Sequence, residues 1–205
     1  MVRGLALALG LIALPVAVSA APFDFNANLT GSQQNPPVTT TGSGTASAVL
    51  DGAAGSWVLT YTLNFSGLTS AIALPGTLDS PAHIHNAPIG SNGGVVHDLD
   101  GAASLVGLTG GSITGDWRFD DAERPLTDAL AQSLLGGDAY FNIHTAAFPS
   151  GEIRGQILVA DGGGGGNGGG NGSVPVPGSL AMMLAGIAGW GTMRLRQRAA
   201  GTGAQ

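Results

Sequence analysis

The 205-residue chain has no cysteine. That excludes a disulfide framework and a cysteine nucleophile, so an exported domain of this sequence must be held by its core alone. Basic residues are scarce: Lys and Arg together number 7, against 13 Asp and Glu, for a formal net charge of −6. Arg3, Arg124, Arg194, Arg196 and Arg198 lie near an end or stand isolated, so no basic patch forms and nucleic acid is excluded as a partner. Neither apolar run, at 5–18 or at 178–193, reaches the about 20 residues that a membrane-spanning helix needs. Nucleophile elbows of the Gly-x-Ser-x-Gly type are missing. The Gly run at 162–170 has no Lys-Ser/Thr behind it and is no phosphate loop. Charged residues are only 10% and Gly is 36 of 205, which describes a neutral, turn-rich extracellular β-protein better than a cytosolic enzyme.

What is present begins with an export signal. Residues 1–20 join a basic start at Arg3 to an apolar run and a small-residue site, Val18-Ser19-Ala20, where cleavage would leave Ala21 first. An uncleaved anchor is the alternative reading. Period-two alternation then dominates. Trp57, Leu59, Tyr61, Leu63 and Phe65 fall on one face of a strand, with Val58, Thr60, Thr62 and Asn64 on the other. Phe23, Phe25, Ala27 and Leu29 repeat the pattern, as do Ile113, Trp117 and Phe119. Further strands are expected at 42–51, 81–86, 95–99, 139–145 and 151–159, separated by Asn-Pro-Pro, Asp-Gly and Gly-rich turns. One short helix is expected, with Pro125 in its first turn, a stripe of Leu126, Leu130 and Leu134, and Gly136 as its stop. The expected fold is therefore all-β, an antiparallel Greek-key sandwich or barrel over residues 22–160 with one short helix, plus the N-terminal signal peptide and a C-terminal apolar helix.

Residues 161–173 are a Gly-rich linker, since glycine buries no apolar surface and loses much entropy on ordering. Residues 174–198 follow as a tail: Val174-Pro175-Val176-Pro177, an apolar stretch, and Arg194, Arg196 and Arg198. The arginines would stay cytoplasmic and leave the β-domain outside. This tail resembles the PEP-CTERM sorting signal of Gram-negative bacteria, with Val176 where an acidic residue is usual. The resemblance assigns the sorting role to Val174, Pro175, Pro177 and the three arginines. It implies processing by an exosortase-type enzyme and delivery to the envelope or extracellular matrix, where polysaccharide or surface proteins would be partners. A plain tail anchor, held in the membrane by the C-terminal helix, is the other reading.

The β-region resembles the CHRD (chordin-type) domain. The matching segments are Leu29-Thr30-Gly31-Ser32-Gln33 with Pro36-Pro37, Ala82-His83-Ile84-His85-Asn86-Ala87-Pro88, Gly93-Gly94-Val95-Val96, and Tyr140-Phe141-Asn142-Ile143-His144-Thr145 running into Pro149-Ser150-Gly151-Glu152-Ile153-Arg154-Gly155-Gln156-Ile157. The resemblance implies a domain and no particular activity.

Four histidines occur: His83, His85, His97 and His144. His83 and His85, two apart, project from one face of a strand while Ile84 points opposite. Tyr140, Asn142 and His144 share a face in the same way. Imidazoles on neighbouring strands can hold copper(II) or zinc(II), since both ions accept nitrogen donors. The order His83-x-His85, His97, His144, Arg154 also bears a remote likeness to copper–zinc superoxide dismutase, which would make Arg154 an anion-steering residue beside the metal. The competing reading is structural: the histidines bond to backbone carbonyls, Asn142 and His144 lock the loop at 146–150, and Glu152 and Arg154 form a surface ion pair. Asp98, Asp100, Asp120, Asp121 and Glu123 read as solvated turn residues. Two functions follow: an exported, envelope- or matrix-associated binding or structural module, or a copper/zinc-binding protein.

Overall fold

The computed structural model describes residues 21–160. The signal peptide, linker and sorting tail expected from the sequence, with Val174, Pro175, Pro177, Arg194, Arg196 and Arg198, lie outside the described residues. Nine strands form one antiparallel sheet: β1 (Phe23–Thr30), β2 (Ser43–Asp51), β3 (Val58–Ser66), β4 (Ala82–Asn86), β5 (Gly94–Asp98), β6 (Gly111–Arg118), β7 (Ala139–Ile143), β8 (Ile153–Gln156) and β9 (Leu158–Val159). The strand order is β5-β4-β7-β8-β1-β2-β3-β6, with β9 also against β1. The two ends of that path approach each other. His97 of β5 stacks on Trp117 of β6 with ring centroids 5.3 Å apart, and its Nε2 lies 3.1 Å from Tyr61 Oη on β3. The sheet is thus a nearly closed barrel around a single core.

Two kinds of strand build it. β1, β2 and β3 alternate cleanly, with Phe25, Leu29, Leu50, Leu59, Tyr61 and Leu63 buried and the intervening Asn, Ser and Thr outside. β4, β7 and β8 are buried on both faces. Their inner side chains, among them Ile84, Phe141 and Ile153, join the core. Their outer side chains are polar and covered, and this layer forms the candidate site.

The helix α1 (Asp128–Leu135) begins later than the sequence suggests. Pro125 precedes it, and Thr127 is the cap, accepting from Leu130 N at 3.3 Å. Asp128 moors the helix by accepting from Trp57 Nε1 at 3.0 Å and Gly55 N at 2.8 Å. Leu126, Ala131 and Leu134 face the core, and Gly136 closes the last turn as expected. Phe119 continues the parity of Trp117 but is 39% exposed, because the chain turns out of β6 after Arg118. The expected strand at 151–159 is two pieces, β8 and β9, the second paired to β1.

Candidate metal centre

Pairing places the histidines. β4 lies between β5 and β7, with His83 opposite both Asp98 and Asn142, and His85 opposite Tyr140. β7 in turn sets Tyr140 against Gln156 and Asn142 against Arg154. Cross-strand partners share a face, so His83, His85, Asp98, Tyr140, Asn142, Arg154 and Gln156 form one outer polar layer, with His144 just past the end of β7. His97 pairs with Ile84 and faces the barrel interior. The register shift after Ile84 inserts an extra residue in β5 there. Three of the four expected ligands therefore gather, and His97 sits on the far side of the sheet with Tyr61 and Trp117.

One ring nitrogen from each of His83, His85 and His144 lies within 4.8 Å of the others. His83 Nδ1 is 3.0 Å from His144 Nε2. Zn–N bonds of about 2.0–2.1 Å in a tetrahedron put nitrogens about 3.3 Å apart, so this pair already has ligand spacing. Backbone carbonyls fix the tautomers. His85 Nδ1 donates to Gly93 O at 2.9 Å and His144 Nδ1 to Pro149 O at 2.9 Å. Both rings must then present a bare Nε2 lone pair, the state a metal ligand needs. Nε2 of His85 has no hydrogen-bond partner, though it is buried.

His83 completes the argument. Its neutral ring can donate from Nδ1 to His144 Nε2, but His83 Nε2 then faces Asp98 Oδ1, 3.3 Å away, as acceptor against acceptor. Both atoms are buried without a hydrogen-bond partner. Such orphans are costly. Moving the proton to Nε2 lets His83 donate to Asp98 and sets its Nδ1 lone pair against that of His144 Nε2, 3.0 Å away, an arrangement that a shared cation would satisfy. Asp98 is itself oriented by Arg124, whose Nε donates to Oδ2 at 3.2 Å. A carboxylate behind a ligating imidazole is the usual second layer of a metal site. The residues present thus fit copper or zinc by donor type, tautomer and support.

Burial holds these rings neutral. Desolvation, reinforced by the neighbouring His144 and His85, pushes His83 down to about 3. Desolvation likewise takes His144 down to about 4 against the opposing Pro149 carbonyl. His85 and His97 are lowered for the same first reason. Unfolded histidine titrates near 6.5, so below that pH the unfolded chain binds more protons than the fold. Metal-free protein should lose stability as pH falls from about 6.5 towards about 4, by about 1.4 kcal/mol per pH unit for each of His83 and His144. Urea midpoints at pH 7 and pH 5 measure this, and equal midpoints would contradict it.

The remainder of the layer is built around Arg154 and Glu152, which are not the surface ion pair expected. Arg154 is 1% exposed. Its guanidinium carbon lies 3.4 Å from the Tyr140 ring centroid, Nη1 donates to Ser91 O at 2.8 Å and Nη2 to Gln156 Oε1 at 3.1 Å. It pins the 88–92 loop over the sheet, and the Tyr140 ring stacks on His85 at 4.9 Å. Glu152 is also buried. Burial pushes its carboxyl up, but hydrogen bonds from Thr40, the Thr69 amide and Thr145 outweigh this and hold it below the usual range. Asn142 donates to Ser150 O at 3.2 Å, so with His144 it does tie down the loop at 146–150, as the structural reading expected. Gly151, at φ +119, is required there, since a Cβ would run into the Asn142 amide.

Sequence reasoning missed Asp98, Arg124, Gln34 and Gln156. Asp98 looked like a turn residue beside Gly101, and only the β4–β5 register reveals its partner. Asp121 does behave as a turn former, accepting from Glu123 N and Arg124 N at 2.9 Å each.

A nearly closed antiparallel barrel with a covered polar layer on β4, β7 and β8 defines the class: an all-β domain with a buried histidine cluster outside its core. The CHRD domain family matches residues 25–157, and the chain belongs to it. No curated protein and no solved structure matches it.

Proposed function

We propose that this chain is an exported CHRD-domain module whose β-head binds one copper or zinc ion through His83, His85 and His144. The observation that carries the reading is the convergence of three imidazoles with two tautomers set by backbone carbonyls and a carboxylate behind the third. The ion would supply a Lewis-acidic or redox-capable centre, and His97 would take no part in holding it. Arg154 would act on the site by holding the 88–92 loop and, through Tyr140, the His85 ring.

The export signal at 1–20 and the tail at 174–198 support display outside the cytoplasm. Sorting by an exosortase-type enzyme would leave the head in the envelope or matrix, beside polysaccharide or surface proteins, and a retained tail would keep it at the membrane. The Gly-rich tether would let a rigid head range over that surface.

The scaffold reading has its own observation: His144 and Asn142 both fasten the 146–150 loop. Equilibrium dialysis of the purified protein with copper(II) or zinc(II) separates the two. About one equivalent should remain bound at micromolar free metal. Retention below about a tenth of an equivalent would leave only the scaffold.

A further inference from the structure

Beside the three imidazoles lies a cavity of about 430 Å³. Its walls include His85, Tyr140, Asn142, Gln34, Asn92 and Phe148. No carboxylate and no lysine or arginine lines it, and among its lining residues only His85 belongs to the cluster. Asn142 forms the partition. Its Nδ2 lies 3.4 Å from His144 Nε2, while its Oδ1 accepts from Gln34 Nε2 at 2.7 Å. The described residues offer three histidine nitrogens and no fourth ligand in that group. Three protein ligands with a position left over is the pattern of sites that exchange a small ligand, whereas purely structural sites close with four.

We propose that this cavity is the entry chamber for an exchangeable further ligand of the metal, a small anionic oxygen or nitrogen donor. The inference rests on the metal-binding reading above. Three features of the chamber favour such an anion. The Gln34 and Asn92 amides each keep one N–H beyond the bonds they make to Asn142 Oδ1 and Asn35 O, and can donate to it. No wall carboxylate repels it. The Arg154 guanidinium stands directly behind Tyr140 and biases the potential in its favour. His85, which lines the chamber, keeps a buried Nε2 with no hydrogen-bond partner.

Azide is the probe. Copper(II)-loaded full-length protein should develop an azide-to-copper charge-transfer band on titration, with a matching change in its EPR spectrum. Ala147 is exposed on the chamber wall and is none of the three ligands. An A147W variant should fill the chamber, weakening azide binding by about tenfold or more while copper affinity stays within about threefold, since tenfold is only about 1.4 kcal/mol of lost access or contact. A spectrum that azide leaves unchanged would mean a closed site, and azide binding unaltered in A147W would mean another route; either result overturns the proposal. Failure of copper itself to bind would be seen before azide is added and would overturn the metal-binding reading with it. If A147W does not fold, F148W fills the same wall from the neighbouring position and is read in the same way.

Discussion

Exchange of His144 for alanine should weaken copper(II) or zinc(II) binding by about 100-fold. A protein metal site of four ligands is worth about 10–16 kcal/mol, so one imidazole represents roughly 3 kcal/mol, or about two decades of affinity. The loss should be deeper than a ligand count alone implies. His144 also holds Pro149 O through Nδ1, so the 146–150 loop loses a tie at the same moment. Asp98→Asn provides the graded comparison. It keeps all three nitrogens but replaces the carboxylate facing His83 Nε2, and should cost about 10-fold to 100-fold. His97→Gln should leave affinity within a few-fold, because that ring faces Trp117 and Tyr61 on the other side of the sheet. Competition titration against a chromophoric chelator measures all three. Equal losses at His97 and His144 would contradict the geometry.

Trp117→Ala should give the largest loss of fold stability, about 3–5 kcal/mol. Trp117 is 1% exposed and fills the seam where β6 meets β5. Its Nε1 donates to Arg124 O, so it also positions the arginine that orients Asp98. With typical domains stable by about 5–15 kcal/mol, a loss of this size takes a large share of the total. Chemical denaturation reads it as a lower midpoint at an unchanged slope. A Trp117→Ala protein as stable as the parent would mean that the barrel seam is held by something other than the Trp117–His97 stack.

The sequence spoke most clearly where one face of a strand meets water. Leu59, Tyr61, Leu63 and Phe65 alternate with polar residues, and the structure buries them as the parity demands. It spoke less clearly where both faces are covered. Arg154 and Gln156 have the alternation of a solvent-facing row, yet Gln33, Ala87, Ser91 and Gly137 bond to them from other segments, and only tertiary contacts supply that cover. The pairing of His83 with His85 follows from period two alone. The exclusion of His97 and the arrival of Asp98 depend on a one-residue irregularity between β4 and β5, and a slip of one residue reverses which side chain faces which side. Parity within a strand is therefore legible from local sequence, and register between strands is not. The same division explains Pro125, whose suitability for a first helical turn was real but was overridden by the Thr127 cap and the mooring of Asp128.

Counting the imidazoles bound to copper tests the central claim most directly. Pulsed EPR of the copper(II)-loaded protein should resolve nitrogen couplings from three histidines, falling to two when any one of His83, His85 or His144 is exchanged and staying at three in His97→Gln. A count of one or none in the parent protein, or a count that does not change with His144, would contradict the site described here.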